Sequence, residues 1–426
     1  MNPSVIKSDL LKEEMYMKEY PCGLKAFIIP KKGYSKKYAM FSTNFGSIDS
    51  KFNLYGKDEI IEVPDGVAHF LEHKLFEQTD GNAMEMFADM GVSSNAFTSF
   101  NQTSYLFSCT DKFEEAFELL LRFVQNPDIS EESVEKEKGI IGQEIRMYED
   151  DPDWRLYFNL IGALYNDFPV RKDIAGTIES ISHINRDVLY KCFNTFYHLS
   201  NMAILVVGDV DIDKTFEIIE NKVDINKEKI HIDRGYPEEE NKINEERVEV
   251  NLDVHNPLFM IGFKNNNEVK NDIRKEIAIN IALETLLGKG SEEYISMYES
   301  GLLTSTLDVD CTFEKNYSFV SISGESQKYD EVIDRVMSIL EKAKEDGVNE
   351  EDFMRIKKKF LGEALRQFNS VERIAHSFMS NYFRGVNIFE YVETYEKITI
   401  ADVNNAIKDL IKKEFMAVSV VKPSKS

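Results

Sequence analysis

The segment Val67–Lys74, which reads VAHFLEHK, contains a His-x-x-Glu-His motif. On a helix this spacing places His69 and His73 one turn apart on one face, where two neutral imidazoles can bind one zinc ion. Glu72 lies between them and can act as a base toward a metal-bound water. The order is the inverse of His-Glu-x-x-His and is typical of one group of zinc peptidases. The segment therefore predicts a zinc-binding helix and, with it, hydrolysis of peptide bonds.

A catalytic zinc site normally has three protein ligands, so a third ligand must come from elsewhere in the chain. The best candidate segment is 134–147, where Glu137 and Glu144 are seven residues apart and share one helical face. Ile140 and Ile141 lie on or near that face, which indicates a buried stripe. A carboxylate on such a stripe needs a partner, and a metal ion is an efficient one. The alternative is a pair of glutamates on an ordinary exposed helix face.

Two glycines in the same segment, Gly139 and Gly142, are costly in a helix interior, by about 0.8–1 kcal/mol each relative to alanine. We expect them to allow another backbone to pass close by, and the helix with His69 and His73 is the expected neighbour.

The composition describes a folded and strongly acidic chain. It has 426 residues, 42% of them hydrophobic, and 75 acidic against 51 basic residues give a net charge of -24. This charge disfavours nucleic acid and anionic membrane as partners. It would suit basic peptides if it lined a cavity, and solubility is the simpler explanation.

The cysteines are scattered and form no Cys-x-x-Cys pair, so neither structural zinc nor a disulfide framework is predicted. They are Cys22, Cys109, Cys192 and Cys311. Residues 1–18 are charged and lack the apolar core of a secretory signal, and no apolar run approaches the ~18 residues of a membrane span. The cytoplasm is the expected location.

Hydrophobic patterning predicts strands and helices in both halves of the chain. Predicted strands are 23–30, 38–45, 95–100, 103–108, 202–207, 248–254, 258–263 and 317–323. Predicted helices are the motif helix with Asp65 as its N-cap, one ending near Gly91, and 112–125, 130–148, 272–287, 329–346 and 350–368. We predict an α+β fold of two similar domains, each an antiparallel-rich sheet packed with helices, joined into one half of a clamshell. The predicted division is 1–225 as the zinc-binding peptidase domain, 226–246 as a charged linker, and 247–426 as the second domain.

Several stretches beyond the motif make the chain similar to a known family. Asn95-Ala-Phe-Thr98 followed by Tyr105, the stretch 170–181, and the stretch 196–209 all match its pattern. The chain resembles the pitrilysin/insulinase family of zinc peptidases, the inverzincins, which includes mitochondrial processing peptidase. The likeness is strongest over about residues 20–211, and it is greatest to the bacterial YmfH-type branch.

The resemblance implies roles for individual residues. His69, His73 and Glu144 would bind one zinc ion, and Glu72 would be the general base. Glu137 would be an auxiliary carboxylate that orients a ligand histidine or the water. The strand residues Asn95, Ala96, Phe97 and Thr98 would bind an extended peptide substrate as an added strand. The alternative for Asn95 is an ordinary turn at the start of a strand.

The second half departs from the family pattern at two positions. Catalytic members carry an Arg and a Tyr that reach the reaction centre, and here those positions are Met297 and Thr304. Loss of such a donor costs about 100- to 1000-fold in rate. The chain is expected to pair with a paralogous subunit or with a second copy of itself. Either a partner chain with a degenerate zinc motif and an intact Arg/Tyr pair completes the site, or the correspondence with the family is displaced in this half and another residue, such as Tyr294 or Tyr298, serves. The first is favoured.

Two other functions are compatible with the sequence. The chain could be a non-catalytic peptide-binding or scaffold subunit, since the resemblance includes relatives in such roles. It could also be a zinc hydrolase of a non-peptide substrate. The intact set of five carboxylate and imidazole positions favours the peptidase.

Overall fold

A computed structural model describes residues 3–54, 60–265 and 272–424. The chain forms two compact units, and neither is continuous in sequence. The first unit consists of Met1–Ile145, Lys172–Tyr236 and Arg366–Phe389, and the second of Arg146–Arg171, Pro237–Leu365 and Glu390–Ser426. The boundary between Tyr236 and Pro237 falls inside the predicted linker. The predicted division, in contrast, is contiguous, and as a statement about domains it stays a prediction.

The strands are β1 (Ser4–Ser8), β2 (Glu13–Glu19), β3 (Lys25–Pro30), β4 (Lys37–Thr43), β5 (Lys51–Leu54), β6 (Ile60–Glu62), β7 (Glu77–Gln78), β8 (Gly81–Asn82), β9 (Ser93–Thr98), β10 (Thr103–Cys109), β11 (Met202–Gly208), β12 (Ile232–Arg234), β13 (Arg247–Leu252), β14 (Leu258–Lys264), β15 (Asp308–Phe313), β16 (Ser318–Glu325) and β17 (Met416–Pro423).

The helices are α1 (Val67–Leu75), α2 (Ala83–Asp89), α3 (Phe113–Gln125), α4 (Glu131–Asp150), α5 (Pro152–Leu164), α6 (Ile178–Ser182), α7 (Arg186–Phe196), α8 (Ile212–Lys222), α9 (Ile273–Leu287), α10 (Glu292–Glu299), α11 (Tyr329–Asp346), α12 (Glu350–Gln367), α13 (Val371–Arg384), α14 (Ile388–Lys397) and α15 (Ile400–Leu410). In the part of the chain that the structure describes, none of them is both long and apolar enough to cross a bilayer.

The first unit is built on a seven-stranded sheet with the order β1-β2-β3-β11-β4-β10-β9. Strand β11 runs parallel to β3 and antiparallel to β4, and the remaining pairs are antiparallel. Every residue of β11 is buried, as expected for a near-continuous apolar run (MAILVVG) at the centre of a sheet with both faces covered. Strand β9 lies at one edge of this sheet.

The second unit repeats this plan in a five-stranded sheet with the order β13-β17-β14-β16-β15. Its one parallel pair, β13 with β17, corresponds to β3 with β11, and the other pairs are antiparallel. Strand β15 holds the edge position that β9 holds in the first unit. The predicted α+β class, with two similar antiparallel-rich units, is therefore confirmed.

One helix from each half of the sequence packs in the unit built mainly from the other half. Helix α13 covers the first sheet, where Phe27 lies 4.8 Å from the ring of Phe378 and 5.1 Å from that of Tyr382. Helix α5 covers the second sheet so closely that a Cβ on Gly262 would lie 2.8 Å from the Leu160 side chain. These two helices explain why the units are discontinuous.

The predicted charged linker makes specific contacts within each unit. In the first unit, Arg234 of β12 pairs with the buried Asp49 at 2.8 Å. In the second, both carboxylate oxygens of Glu239 accept backbone N–H groups of residues 166–168, and Lys264 pairs with the same carboxylate at 2.5 Å. Burial acts to raise the pKa of Glu239, but these hydrogen bonds and Lys264 outweigh it, and the net pKa is lowered.

Candidate metal centre

Helix α1, which carries the motif, begins directly after a glycine with a left-handed backbone. Gly66 has φ of 89°, and a Cβ at this position would lie 2.4 Å from the carbonyl oxygen of Ala175. Both conditions require glycine. The prediction that Asp65 caps this helix was wrong, because the helix has no side-chain cap and the Asp65 carboxylate instead pairs with Lys172 at 2.8 Å.

The two motif histidines lie side by side and face a single carboxylate from another helix. The rings of His69 and His73 are 4.6 Å apart between centroids. Glu144, on α4, reaches both rings, with 3.6 Å from one oxygen to Nε2 of His69 and 3.6 Å from the other to Nε2 of His73. The structure thus brings together the three residues that were predicted as zinc ligands.

This donor set fits a zinc ion. One ligand atom from each of His69, His73 and Glu144 lies within 4.8 Å of the other two, and no other such group occurs among the described residues. Around a tetrahedral zinc with bonds of about 2.0–2.1 Å, ligand atoms are about 3.3 Å apart, close to the 3.6 Å seen here. Two imidazoles and a carboxylate, with the fourth position left for water, are a combination found in catalytic zinc sites.

Glu137 lies behind His73 rather than in the donor set. Its Oε1 atom is 3.0 Å from Nδ1 of His73. A carboxylate only accepts hydrogen bonds, so Nδ1 carries the proton and Nε2 presents its lone pair toward Glu144 and the metal position. Burial acts to raise the pKa of Glu137, but His73 and Lys74 outweigh it, and the net pKa is lowered. The predicted role of Glu137 in orienting a ligand histidine fits this geometry and stays a prediction.

The glycines of α4 do not serve the purpose that their positions suggested. At Gly139 a Cβ would meet no described atom within 4 Å, and at Gly142 its nearest contact would be a side-chain carbon of Ile178 at 3.4 Å. In the described chain, no backbone atom beyond their own stretch of helix lies within 4 Å of the Cβ position of either glycine. The prediction that these glycines admit the motif helix was wrong, and contact between the helices is made by side chains instead.

Glu72, the predicted base, is held by a hydroxyl from strand β9. The Thr98 Oγ1 atom donates a hydrogen bond to Glu72 Oε2 at 2.6 Å. Burial raises the pKa of Glu72, against the opposing effects of His69, the Thr98 hydrogen bond and His73. A carboxyl with a raised pKa is better suited to exchange protons near neutral pH than an exposed glutamate.

The four strand residues predicted to bind substrate fall on two faces of the edge strand β9. The Phe97 ring stacks on His376 of α13, with 5.4 Å between centroids, whereas the Thr98 side chain points at Glu72 on the opposite face. Asn95 and Ala96 lie earlier in the same strand and pair only with β10 in the described sheet. Their backbone edge is placed where an added strand could pair, which leaves their substrate role a prediction.

Sequence reasoning gave no role in the site to three residues of this region. Tyr105 is fully buried and Tyr197 is 6% exposed, with a 2.8 Å hydrogen bond between their hydroxyls. Burial together with the Glu72 charge raises the pKa of both. Lys74 is buried directly after the motif. The position of Lys74 next to His73 was one signal, and Tyr105 and the stretch that contains Tyr197 matched the family pattern. Neither signal gave these residues a role, because their contacts depend on the fold.

In the second unit, the two positions predicted to correspond to the family's Arg and Tyr occupy different surroundings. Met297 is a core residue with 2% of its surface exposed, and Thr304 is exposed. Tyr298 is 54% exposed and stacks on Tyr294 with 6.0 Å between ring centroids. The Met297 side chain has no hydrogen-bond donor, and it is buried in the core of the second unit.

The region that contains this site matches a known protein family. A family model described as Insulinase (Peptidase family M16) matches residues 61–178, which include the motif and the two glutamates of α4 that contact it, Glu137 and Glu144. A second model, described as Peptidase M16 inactive domain, matches residues 183–360.

Relatives match over the full length of the chain. An uncharacterized zinc protease of Bacillus subtilis, YmfH, is 42% identical over 98% of this chain and 99% of its own length. The crystal structure of an M16-like peptidase from Alicyclobacillus acidocaldarius, 33% identical, covers 98% of this chain and 100% of that one with a TM-score of 0.93. The periplasmic protease PqqL of Escherichia coli shares the fold at 16% identity, with a TM-score of 0.75. The matched region covers 99% of this chain and 48% of PqqL. On these grounds the chain belongs to the insulinase family, peptidase family M16.

Proposed function

We propose that this chain is a zinc-dependent endopeptidase that hydrolyses peptide bonds in small proteins or unfolded peptides. The observation that carries the proposal is the convergence of His69, His73 and Glu144, with the carboxylate of Glu72 on the same helix turn. The full-length similarity to a protein named as a zinc protease supports the same activity.

The residues of this chain divide the chemistry between them. His69, His73 and Glu144 would hold one zinc ion, which when bound supplies a water of lowered pKa and polarises the scissile carbonyl. Glu72 accepts the proton of the attacking water and passes it to the leaving amine nitrogen. Glu137 keeps the proton of His73 on Nδ1, so that Nε2 stays available as a ligand.

The edge strand β9 supports an extended peptide as the substrate. A peptide that paired with Asn95 and Ala96 would lie next to Thr98, whose hydroxyl contacts the Glu72 carboxylate. Strand addition selects for an extended backbone more than for a side-chain sequence. We therefore expect broad cleavage of unfolded peptides and little cleavage of folded proteins.

We further propose that the active form contains a second, similar chain that supplies an Arg/Tyr pair. The buried Met297 and the short, exposed Thr304 at those positions support this proposal. PqqL supports the proposal as well, because this chain matches only 48% of it. A single protease can therefore contain a region of this size together with a further region of about the same length. A paralogous chain fits this proposal, because a second copy would carry the same Met297 and Thr304 and could supply no Arg/Tyr pair. Four free cysteines fit a reducing compartment, and we propose the cytoplasm.

The experiment is a quenched-peptide assay on the purified chain, alone and with its co-purified partner, before and after chelation and zinc restoration. Glu72→Gln should keep zinc and lose about 100- to 10,000-fold in turnover, whereas His69→Ala should lose the metal. His183→Ala, at an exposed histidine of the same unit, is the matched control and should change neither. Zinc retained in His69→Ala, or turnover retained in Glu72→Gln, would reject the assigned roles.

The second candidate function is a non-catalytic peptide-binding or scaffold subunit. The buried Met297 favours it, because a chain without its own donor pair could bind peptides without cleaving them. The same assay separates the two, since a scaffold subunit would bind zinc and peptide yet stay inactive with every co-purified partner.

A further inference from the structure

Lys74 is a buried charged residue that takes no part in the proposed hydrolysis. The residue follows His73 directly in α1, and 0% of its side chain is exposed. Removing an ammonium group from water costs several kcal/mol, so fully buried lysines are rare and depend on the groups around them. The contacts of Lys74 therefore indicate why this position is charged.

Lys74 bridges the motif helix to the helix that carries the third ligand. Its Nζ atom is 2.5 Å from a carboxylate oxygen of Glu77 and 3.7 Å from Oε2 of Glu137, and it donates to the carbonyl oxygen of Ser133 at 3.4 Å. Ser133 and Glu137 are four residues apart on α4, so both present to Lys74 from the same helix face. The ammonium group thus lies between α1 and α4, beside the donor set.

Glu137 divides its two oxygens between an imidazole and this ammonium. Oε1 contacts Nδ1 of His73 at 3.0 Å, and Oε2 faces Nζ of Lys74. A rotation that took the carboxylate away from His73 would also separate it from Lys74. The orientation of Glu137 is therefore set from both sides.

The charges around the predicted metal position give a second reason for a cation at position 74. Glu72, Glu137 and Glu144 bring three carboxylates together around the predicted metal position. A divalent cation would offset two of these charges, and the ammonium group of Lys74, 3.7 Å from Glu137, offsets part of the third. Its other partner, Glu77, is 35% exposed and is stabilised by water as well.

Only one of the two ligand histidines has carboxylate support. The Nδ1 atom of His69 is buried and has no hydrogen-bond partner among the described residues, whereas that of His73 contacts Glu137. Partners of this kind typically contribute 10- to 100-fold to metal affinity. Among these contacts, Glu137 is therefore the residue that orients a ligand ring, and the residues that fix Glu137 matter for the same reason.

We propose that Lys74 is a positioning residue for the metal centre, which acts through Glu137 to keep His73 in its zinc-binding orientation. This proposal rests on the proposed zinc site, and it adds a residue outside the His-x-x-Glu-His motif to it.

The test measures the zinc dissociation constant by competition with a chromophoric chelator, for the wild type, Lys74→Met, Glu137→Gln and the double variant. We expect Lys74→Met and Glu137→Gln each to weaken zinc binding about 10- to 100-fold. The double variant should be no weaker than Glu137→Gln alone, since the two residues act in series. Lys74→Gln keeps an amide donor for the same acceptors and should fall between the wild type and Lys74→Met.

The control and the melting temperatures separate positioning from general stability. Lys138→Met makes the same substitution on α4, at a lysine that pairs with Glu135, and should leave zinc affinity unchanged. Melting temperatures of the metal-free proteins identify any variant that has lost its fold. If Lys74→Met is unfolded, the zinc affinity of Lys74→Gln is compared with that of the wild type instead. Unchanged affinity in folded Lys74 variants, or additive losses in the double variant, would overturn the proposal. A wild type that binds no zinc would instead overturn the proposed function, and the role of Lys74 with it.

Discussion

The Thr98 hydroxyl donates a 2.6 Å hydrogen bond to the carboxylate of Glu72, so the edge strand of the first sheet is joined to the predicted base. A bond to an ionised group is worth about 1.5–3 kcal/mol, which corresponds to roughly 10- to 100-fold in rate when it is lost from a reacting residue. Thr98 was predicted as a substrate contact, and its side chain adds an orienting contact to Glu72.

We therefore predict that Thr98→Val lowers kcat about 10- to 100-fold with little change in KM or zinc content, because the base loses its fixed orientation. Thr98→Ser, which retains the hydroxyl, should restore most of the rate. Steady-state kinetics with a quenched peptide measures this, and Thr110→Val at an exposed position is the control. A rise in KM alone would assign Thr98 to substrate binding instead.

A pair of glycine substitutions should have opposite effects on stability. Gly66→Ala places a Cβ 2.4 Å from the Ala175 carbonyl in a left-handed backbone, and should destabilise the chain by at least about 2 kcal/mol and weaken zinc binding. Gly139→Ala adds a methyl group in open space within α4 and should stabilise by up to about 1 kcal/mol. Urea unfolding of the metal-free protein measures both. Equal changes in the free energy of unfolding for the two variants would contradict the left-handed backbone and close approach at Gly66.

The contribution of Asp402 to stability should depend on pH in the acid range. Its pKa is lowered to about 2, mainly by the hydrogen bond from Arg274, against an ordinary value of 3.8. A lowered pKa means that the stabilisation is fully present above 3.8 and is lost as the pH falls toward 2. Asp402→Asn should thus cost about 1–2 kcal/mol at pH 7 and progressively less in acid.

Denaturant unfolding between pH 2 and 7 measures the effect of Asp402→Asn. Asp409→Asn removes the same charge at a more exposed residue that pairs with Lys275 at 3.3 Å, and should have little effect at any pH. A difference between wild type and Asp402→Asn that grew as the pH fell would contradict the predicted sign.

The sequence was sufficient to predict the parts of the site that depend on helical spacing. The i, i+4 spacing of His69 and His73 and the seven-residue spacing of Glu137 and Glu144 placed each pair on one face. Spacing could not decide which glutamate faces the Nε2 atoms and which faces Nδ1 of His73, because that depends on how α4 lies against α1. The resemblance to a known family supplied that choice.

Other features could not be predicted because they depend on long-range packing. Asp65 matches the preferred residues of an N-cap, yet the chain turns through a left-handed Gly66 that must also pass close to Ala175. An amphipathic helix such as α5 or α13 shows which of its faces is buried, but not which sheet covers that face. The charged linker is anchored by Glu239, whose partners are backbone N–H groups that have no sequence signature.

The most direct measurement is anomalous diffraction at the zinc absorption edge from crystals of the purified chain. We predict one zinc ion per chain, about 2.0–2.2 Å from Nε2 of His69, Nε2 of His73 and a carboxylate oxygen of Glu144, with Glu137 on Nδ1 of His73. Zinc bound at other residues, or an ion held by the two histidines with Glu144 turned away, would contradict the assignment of this chain as a zinc peptidase of the proposed design.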